Sequence, residues 1–321
     1  MDSVASDPVC SDDYWPFTCE VIKTSTGSNQ LRISCNQIRN VEIVQAVFKR
    51  TPPADVHSFY MQILFDYGIT GNSGIPRDFF DGTWVRNIYL TCQTDRIPYL
   101  HIDPNAFYSS KLYLEHLHIE NCDMGSSSSN YWNSQYSDFK FLKSLTFSRT
   151  KHFYNSLEDF PSVFSLTTLN MTHSDNFEKL IPNIHNKFPN LVNLVMNYCP
   201  NMTANVVNRD DLSFINMGLE IVTMNGNQMS DLATEIFLKT LAYYSSNEIL
   251  RSFSFMNNNL TRLPNIAKFP NLTHLRLDNN NLTSENFSLA QLNGTGLQIL
   301  TLSSCGLKNI KPGTLEGLHS K

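Results

Sequence analysis

A repeated pattern of apolar residues runs through most of this 321-residue chain and constrains its fold more than any other feature. Each copy is a nine-residue frame whose first, fourth and sixth positions are apolar. The frames begin at residues 56, 85, 114, 142, 166, 191, 219, 250, 272 and 297, at intervals of 22 to 31 residues. A period of this length predicts a solenoid, because one such repeat buries its apolar face only by stacking on its neighbours.

Short strands explain the frames better than an amphipathic helix does. Three frames show the pattern most clearly: Leu114, Leu117, Ile119 and Cys122; Leu191, Leu194, Met196 and Cys199; Leu272, Leu275, Leu277 and Asn280. Positions one, four, six and nine do not keep the i, i+3, i+4, i+7 spacing of a helix. Frames also end in turn signals such as Asn-Asn-Asn or Cys-Pro. One helix is predicted, from Asp231 to Tyr244, where apolar residues have helical spacing.

The frames resemble those of extracellular leucine-rich repeat proteins, and the resemblance covers most of the chain. Segments between frames, such as 75–82 and 310–318, are similar to the convex half of such repeats. The resemblance implies an α/β fold, a leucine-rich repeat solenoid or horseshoe with a parallel concave sheet and irregular or helical convex segments. It also implies that the Asn or Cys at the ninth position hydrogen-bonds to the backbone of the turn.

The start of the chain resembles the cysteine-containing cap that precedes such repeats. Residues 1–50 form this predicted cap, and residues 51–321 hold the array of about ten repeats. The resemblance implies a disulfide between Cys19 and Cys35. Cys10 has no assigned partner, and both a pairing with Cys92 and a free thiol are left open. The cysteines at the ninth frame position are expected to be buried thiols: Cys122, Cys199 and Cys305.

The two ends of the chain suggest a piece of a longer protein. The sequence stops at Lys321 within what reads as a further repeat, with no cysteine-rich cap. Either the chain is truncated at the C-terminus, which we favour, or the final turn caps itself in an unusual way. The first residues lack the basic and apolar regions of a secretion signal. The chain is therefore either intracellular or a mature form with a methionine in front.

Charge and motifs exclude several classes of function. With 24 basic and 29 acidic residues the net charge is −5, so the chain offers no positive field for nucleic acid. No apolar stretch approaches the roughly 18 residues of a membrane span, which predicts no membrane insertion of this segment. The sequence contains no G-x-S-x-G elbow, Walker loop or H-E-x-x-H motif, and its cysteines lack metal-ligand spacing. We predict neither an enzyme nor a cofactor or metal.

Seven Asn-x-Ser/Thr sequons favour an extracellular or secreted protein that carries N-linked glycans. The candidate glycosylation sites are Asn170, Asn201, Asn259, Asn271, Asn281, Asn286 and Asn293. Together with the cysteine-containing start, they favour the secretory route over the cytosol. Asn259 and Asn281 each follow a ninth-position Asn and are expected to point outward. Asn170 occupies a fifth position, where a glycan on the concave sheet would obstruct partners.

The third, fifth, seventh and eighth frame positions are expected on the concave face, where leucine-rich repeat proteins usually bind partners. The candidate binding residues at these positions are Tyr60, Tyr89, His116, His118, Glu120, His173 and Tyr198. Tyr and His suit protein recognition because they combine rigid area with polar tips. A solvated sheet face would show the same pattern. His116, His118 and Glu120 also share the face that a metal site needs, but no second ligand set accompanies them.

The sequence thus predicts an extracellular protein-recognition module in a receptor ectodomain, adhesion or matrix-type protein, with a protein ligand as its partner. The alternative is a secreted non-catalytic subunit that stabilises an enzyme partner, which copurification of a second, smaller chain would reveal. If Asn170 carries a glycan, we expect the binding surface either towards the N-terminal end, at Tyr60, Tyr89, His116 and His118, or on a flank.

Overall fold

A computed structural model describes the fold of about two thirds of the chain as two compact units, Met1–Leu166 and Thr167–Lys321. The described residues are 18–23, 31–38, 41–42, 44–45, 55–64, 74–93, 100–103, 105–123, 139–151, 162–174, 184–199, 218–244, 248–283, 287, 289–292 and 295–308. Each unit is a parallel-sheet solenoid with few helices. The predicted boundary between cap and array, at residue 50, lies outside the described residues.

The first unit is built on one sheet with an antiparallel hairpin at its beginning. Its strands are β1 Thr18–Lys23, β2 Leu31–Ile38, β3 Asp55–Leu64, β4 Gly74–Ile75, β5 Trp84–Gln93, β6 His101–Ile102, β7 His116–Glu120 and β8 Ser144–Ser148. Strands β1 and β2 form the hairpin, and β2, β3, β5, β7 and β8 then pair in parallel in that order. Strands β4 and β6 form a separate small parallel sheet, and a 3-10 turn covers Tyr108–Ser110.

The second unit repeats a shorter strand six times. Its strands are β9 Thr168–Thr172, β10 Asn193–Asn197, β11 Ile221–Thr223, β12 Ser252–Ser254, β13 His274–Arg276 and β14 Ile299–Thr301, each paired in parallel with the next. The helices are α1 Ile184–Lys187 and α2 Asp231–Tyr244, with a 3-10 turn at Leu289–Leu292. Helix α2 confirms the helix predicted over these residues.

The frames set both the strand positions and the register. Strand β7 alternates half-buried and buried residues, with Leu117 and Ile119 inward, and β8, β9 and β10 show the same alternation. Equivalent frame positions lie side by side, so that Leu194 pairs with both Leu169 and Val222. Period-two alternation therefore sends positions four and six into the core and positions three, five and seven to the outward face.

In the eight frames from residue 114 onwards, the eighth position holds a residue in the left-handed conformation. These residues have φ angles between 51° and 68°: Asn121, Arg149, His173, Tyr198, Gly226, Asn257, Asn279 and Ser304. The conformation costs a residue other than glycine about 1–2 kcal/mol. Hydrogen bonding holds it in place, because the eighth-position N–H donates to the following strand, as Tyr198 does to the carbonyl of Asn225 at 2.7 Å. The bend brings the ninth residue inward.

From the frame at residue 114 onwards the ninth-position side chains are buried. The asparagines among them bind turn backbone, as predicted. Asn258 accepts hydrogen bonds from the N–H groups of Asn227 and Met229, both at 3.0 Å. Its amide donates to the carbonyls of Met224 at 2.8 Å and Met256 at 3.2 Å. One side chain therefore satisfies four main-chain groups, two of them donors that have no other role in the sheet.

The cysteines correct one prediction and restrict another. Cys92 and Cys122 form a disulfide, with Cα atoms 5.3 Å apart, so Cys122 is not the buried thiol expected and Cys92 is not the partner of Cys10. The expectation failed because β5 stays extended through the eighth position of its frame, where the later frames bend, and so carries Cys92 alongside the end of β7. Cys199 and Cys305 are buried thiols, as predicted.

The pairing of Cys19 with Cys35 stays a prediction. The two residues lie directly opposite each other in the β1–β2 register, and Cys35 is disulfide-bonded. A bridge between neighbouring strands of this hairpin would pin its register against slippage. Cys10 lies outside the described residues.

Candidate functional site

Four side chains form a continuous outward row across adjacent strands of the first unit. Arg32 lies on β2, Tyr60 on β3, Tyr89 on β5 and His118 on β7. The last three share the fifth frame position, and the strand register places Tyr60 beside Tyr89 and Tyr89 beside His118. We call these four side chains the aromatic row.

The rings of the row are in direct contact. Tyr60 and Tyr89 stack with centroids 4.3 Å apart and an interplanar angle of 2°. The guanidinium carbon of Arg32 lies 4.2 Å from the Tyr60 ring centroid, and the His118 ring is 5.9 Å from that of Tyr89. Neighbouring strands are about 4.8 Å apart, so parallel pairing itself brings equivalent aromatic rings to stacking distance.

Burial favours the neutral forms of two side chains in the aromatic row. Burial raises the pKa of the Tyr89 phenol, and Tyr60 adds to this, while Arg32 opposes it. Burial likewise lowers the pKa of His118, against the opposing effect of Glu120, whose carboxylate oxygen lies 3.8 Å from Nε2. The row therefore has the Arg32 guanidinium at one end and the Glu120 carboxylate beside its other end.

His116 lies on the same face as His118, in the neighbouring row of side chains. It pairs in register with Asn87, whose amide donates to the carbonyl of His57 at 2.7 Å. Burial lowers the pKa of His116, with Glu115 opposing and Lys143 and His57 adding to the decrease. Burial is therefore the main cause of a lowered pKa at both histidines.

Stability should depend on pH through these two histidines. Unfolding returns their pKa from a lowered value to about 6.5, so below that pH the unfolded state binds protons more readily. We expect the free energy of unfolding to decrease as the pH falls from about 7 to about 5. Urea unfolding of a His116→Gln/His118→Gln variant should show a smaller decrease than the wild type. Parallel pH profiles for the two proteins would contradict this expectation.

A second aromatic pair belongs to the second unit. His173 and Tyr198 occupy eighth positions of successive frames, and their rings stack 4.5 Å apart at 13°. Tyr198 is 43% exposed. Its ring lies over Gly226, where an added Cβ would stand 2.2 Å from Cδ1 of the ring. Glycine at the next eighth position thus makes room for the stack.

Replacing Gly226 with Ala should displace this pair. Gly82 provides a matched control, because its φ of +73° is close to the +68° of Gly226. An added Cβ at Gly82 meets nothing within 4 Å, whereas one at Gly226 meets the Tyr198 ring. We expect Gly82→Ala to cost about 1–2 kcal/mol from backbone strain, and Gly226→Ala to cost more. Chemical unfolding measures both costs, and near-UV circular dichroism reports the ring. Equal costs with an unchanged aromatic spectrum would refute the contact.

The sequons differ in their surroundings. Asn259, Asn271 and Asn281 are exposed. Asn170 is half-buried on the outward face of β9, and its side-chain oxygen accepts a hydrogen bond from the Thr172 hydroxyl at 2.8 Å. The other candidate sites, Asn201, Asn286 and Asn293, lie outside the described residues.

The structure thus divides the predicted binding residues into two groups. Tyr60, Tyr89, His116, His118 and Glu120 share one face of the first unit, and His173 and Tyr198 form their own pair. Sequence reasoning missed two residues. Arg32 precedes the first frame, although the alternation of Leu31-Arg32-Ile33 was a signal for its outward direction. Gly226 shares the eighth frame position with Tyr198, and that shared position was the available signal.

Two further features of the described ranges bear on the site. No cluster of three or more His, Cys, Asp or Glu side chains there is placed to hold a metal ion. None of the helices in those ranges combines the length and apolar character that a bilayer span requires.

Comparison with known proteins assigns no family. A scan against the models of known protein families gives no match, and no curated protein matches the chain.

Proposed function

We propose that this chain is an extracellular leucine-rich repeat module that binds a protein partner through the aromatic row and the neighbouring Glu120. The observation that carries the proposal is the row itself, a contiguous stack from Arg32 to His118 on the outward face of four paired strands. A regular solenoid needs only its inward residues for stability. The stacked outward residues are therefore available for recognition.

The repeat geometry supports the leucine-rich assignment. Buried fourth and sixth positions, a left-handed eighth residue and a buried ninth side chain that bonds to backbone recur in frame after frame. These features explain why Asn, Cys, Ser and Thr share the ninth position, since all four carry a polar or weakly polar group that reaches a carbonyl.

The residue types support protein recognition in preference to catalysis. Tyr and Arg are enriched at binding hot spots because they bury large rigid or forked surfaces at low entropic cost. In the aromatic row, stacking already fixes the ring orientations, which reduces the ordering cost on binding. The stack lies between opposite charges, with Arg32 at one end and Glu120 beside His118 at the other. A partner must therefore match both the apolar centre and the arrangement of the two charges.

Disulfide bonding and the exposed sequons support an extracellular location, since disulfides persist in oxidising compartments. We expect glycans on Asn259 and Asn281 in protein from a secretory host, because both side chains are exposed. Enzymatic deglycosylation converts each occupied Asn to Asp, which peptide mass spectrometry detects. Absence of any occupied sequon in secreted material would contradict this expectation, and occupancy of Asn170 would place a glycan on the outward sheet face.

The proposed function is tested by comparing partner capture by matched variants. Wild-type protein and a Tyr60→Ala/Tyr89→Ala variant are immobilised and exposed to native extracellular fluid, and bound proteins are quantified by mass spectrometry. The control is Arg276→Ala/Ile299→Ala, which removes exposed outward side chains from β13 and β14. We expect the control to capture the same proteins as the wild type. The double Tyr variant should capture at least about tenfold less of one specific partner.

Two results would oppose the proposal. Equal capture by the wild type and the Tyr variant would remove the aromatic row as the binding surface. A smaller enzyme chain that copurifies in fixed ratio with every variant would indicate the non-catalytic subunit role instead.

A further inference from the structure

Three large aromatic side chains are exposed along the edge of the first unit where its strands begin. Trp84, Tyr113 and Phe141 stand directly before the first position of three successive frames, and they are 44%, 39% and 54% exposed. Trp84 and Tyr113 stack, with ring centroids 5.1 Å apart and an interplanar angle of 22°. We call these three side chains the edge ridge. It is separate from the aromatic row, whose residues lie in mid-strand on the outward face.

The fold does not need aromatic residues at this position. The equivalent residues before the later frames are Ser165, Asn190, Gly218, Ile249, Asn271 and Gly296. Glycine and asparagine therefore satisfy the same place in the repeat. Adjacent exposed rings also cost solvation free energy, and contiguous exposed apolar surface marks interaction sites on soluble proteins. The repeat pattern therefore does not account for the three exposed rings of the ridge.

The charges beside the ridge have one predominant sign. Four cations and one carboxylate stand within two residues of the three rings in sequence: Arg86, Lys111, Lys140, Lys143 and Glu115. Glu115 is paired with Lys143 at 2.7 Å. Asp55 is opposite Trp84 in the β3–β5 register, and counting it gives four cations to two carboxylates in the sequence around the ridge. This local excess contrasts with the net charge of −5 for the whole chain.

We propose that the edge ridge is a docking surface for an acidic protein segment that carries apolar side chains. The rings provide the apolar contact, and the flanking lysines and Arg86 attract the carboxylates of the partner. Stacked Trp and Tyr are pre-ordered, so little rotamer entropy is lost when the segment binds. The complementary charges select against basic segments and increase the association rate at low salt.

The test uses fluorescein-labelled peptides and fluorescence anisotropy with the full chain. The probes are a peptide that alternates Glu with Tyr, one that alternates Lys with Tyr, and one that alternates Glu with Ser. We expect the Glu–Tyr peptide to bind most tightly. A Trp84→Ser/Tyr113→Ser/Phe141→Ser variant should bind it at least about tenfold more weakly. The matched control, Ile221→Ser/Leu232→Ser, removes similarly exposed apolar side chains of the second unit and should bind like the wild type.

A second variant keeps the rings and changes only charge. Lys140→Glu should weaken the Glu–Tyr peptide several-fold, and added salt should reduce the difference from the wild type. Equal binding of the Glu–Tyr peptide by the wild type and the triple Ser variant would overturn the proposal. Tighter binding of the Lys–Tyr peptide would do the same.

Two other candidate occupants of the edge ridge would each give a different experimental result. Sedimentation that shows self-association of the wild type and monomers of the triple variant would assign the ridge to a second copy of this chain. Binding of phosphatidylserine vesicles by the wild type and not by the triple Ser variant, with no peptide bound by either protein, would assign the ridge to a lipid surface. Either result overturns the acidic segment as the occupant and leaves the aromatic row untouched.

Discussion

An Asn258→Ala variant is expected to lose about 3–5 kcal/mol of unfolding free energy. The substitution leaves the N–H groups of Asn227 and Met229 without their acceptor and the carbonyl of Met224 without its side-chain donor. The carbonyl of Met256 loses one of two donors, since the N–H of Gly226 also donates to it at 2.9 Å. A buried group without a partner costs about 1–3 kcal/mol, and the site is closed to water because Asn258 is only 5% exposed. Urea-induced unfolding of the purified variant measures the loss.

The neighbouring residue provides the control. Asn259 is exposed, and its side chain donates one hydrogen bond to the carbonyl of Gln228 at 3.3 Å. We expect Asn259→Ala to cost less than about 1 kcal/mol. An Asn258→Cys variant should fall between the two alanine variants, since Cys305 at the same frame position donates its thiol to the carbonyl of Leu277. Similar costs for Asn258→Ala and Asn259→Ala would show that the turn does not depend on the buried amide.

Removal of the Cys92–Cys122 disulfide should have the second largest effect. The bridge closes a segment of 30 residues, and a loop of that length predicts about 3–4 kcal/mol of stabilisation through the restricted unfolded state. We expect the Cys92→Ala/Cys122→Ala variant to unfold at correspondingly lower urea concentration. Both sulfurs are buried, so the double variant also loses a little packing.

Thiol chemistry separates this disulfide from the other cysteines. The Cys199→Ala variant removes a buried thiol but leaves the loop between Cys92 and Cys122 closed, so its loss of stability measures the packing contribution alone. Alkylation of the native wild type under non-reducing conditions should leave Cys92 and Cys122 unmodified. Modification of either one in the folded protein, or wild-type stability in the double Ala variant, would rule out the bridge.

Much of the fold was predictable because it depends on local pattern. Apolar residues at positions four and six, such as Leu117 and Ile119, determine which face of each strand is buried. Helix α2 was predictable for the same reason, since its apolar residues have helical spacing. The stacking of equivalent frames sets the strand register. The same stacking predicts that Tyr60, Tyr89 and His118 lie side by side in the aromatic row.

The remainder depends on contacts distant in sequence. Strands β3 and β5 are ten residues long because each extends the other by pairing, and no frame indicates that extension. The same extension places Cys92 beside Cys122. Arg32 reaches the aromatic row through the β2–β3 register, which contains two irregular shifts, so counting residues from the first frame does not locate it.

The ninth-position bonds give the second unit a direction. Asn258 binds the turn of the preceding repeat at Asn227 and Met229, and Asn280 binds the preceding turn at Leu260 and Phe255. Each repeat is therefore completed by its successor. Removing a repeat takes these ninth-position bonds from its N-terminal neighbour. Its C-terminal neighbour loses different bonds, such as the one that the N–H of Met256 donates to Asn225 at 2.8 Å. When one repeat unfolds under mechanical load, the turn that loses its ninth-position partner should therefore be that of the repeat N-terminal to it.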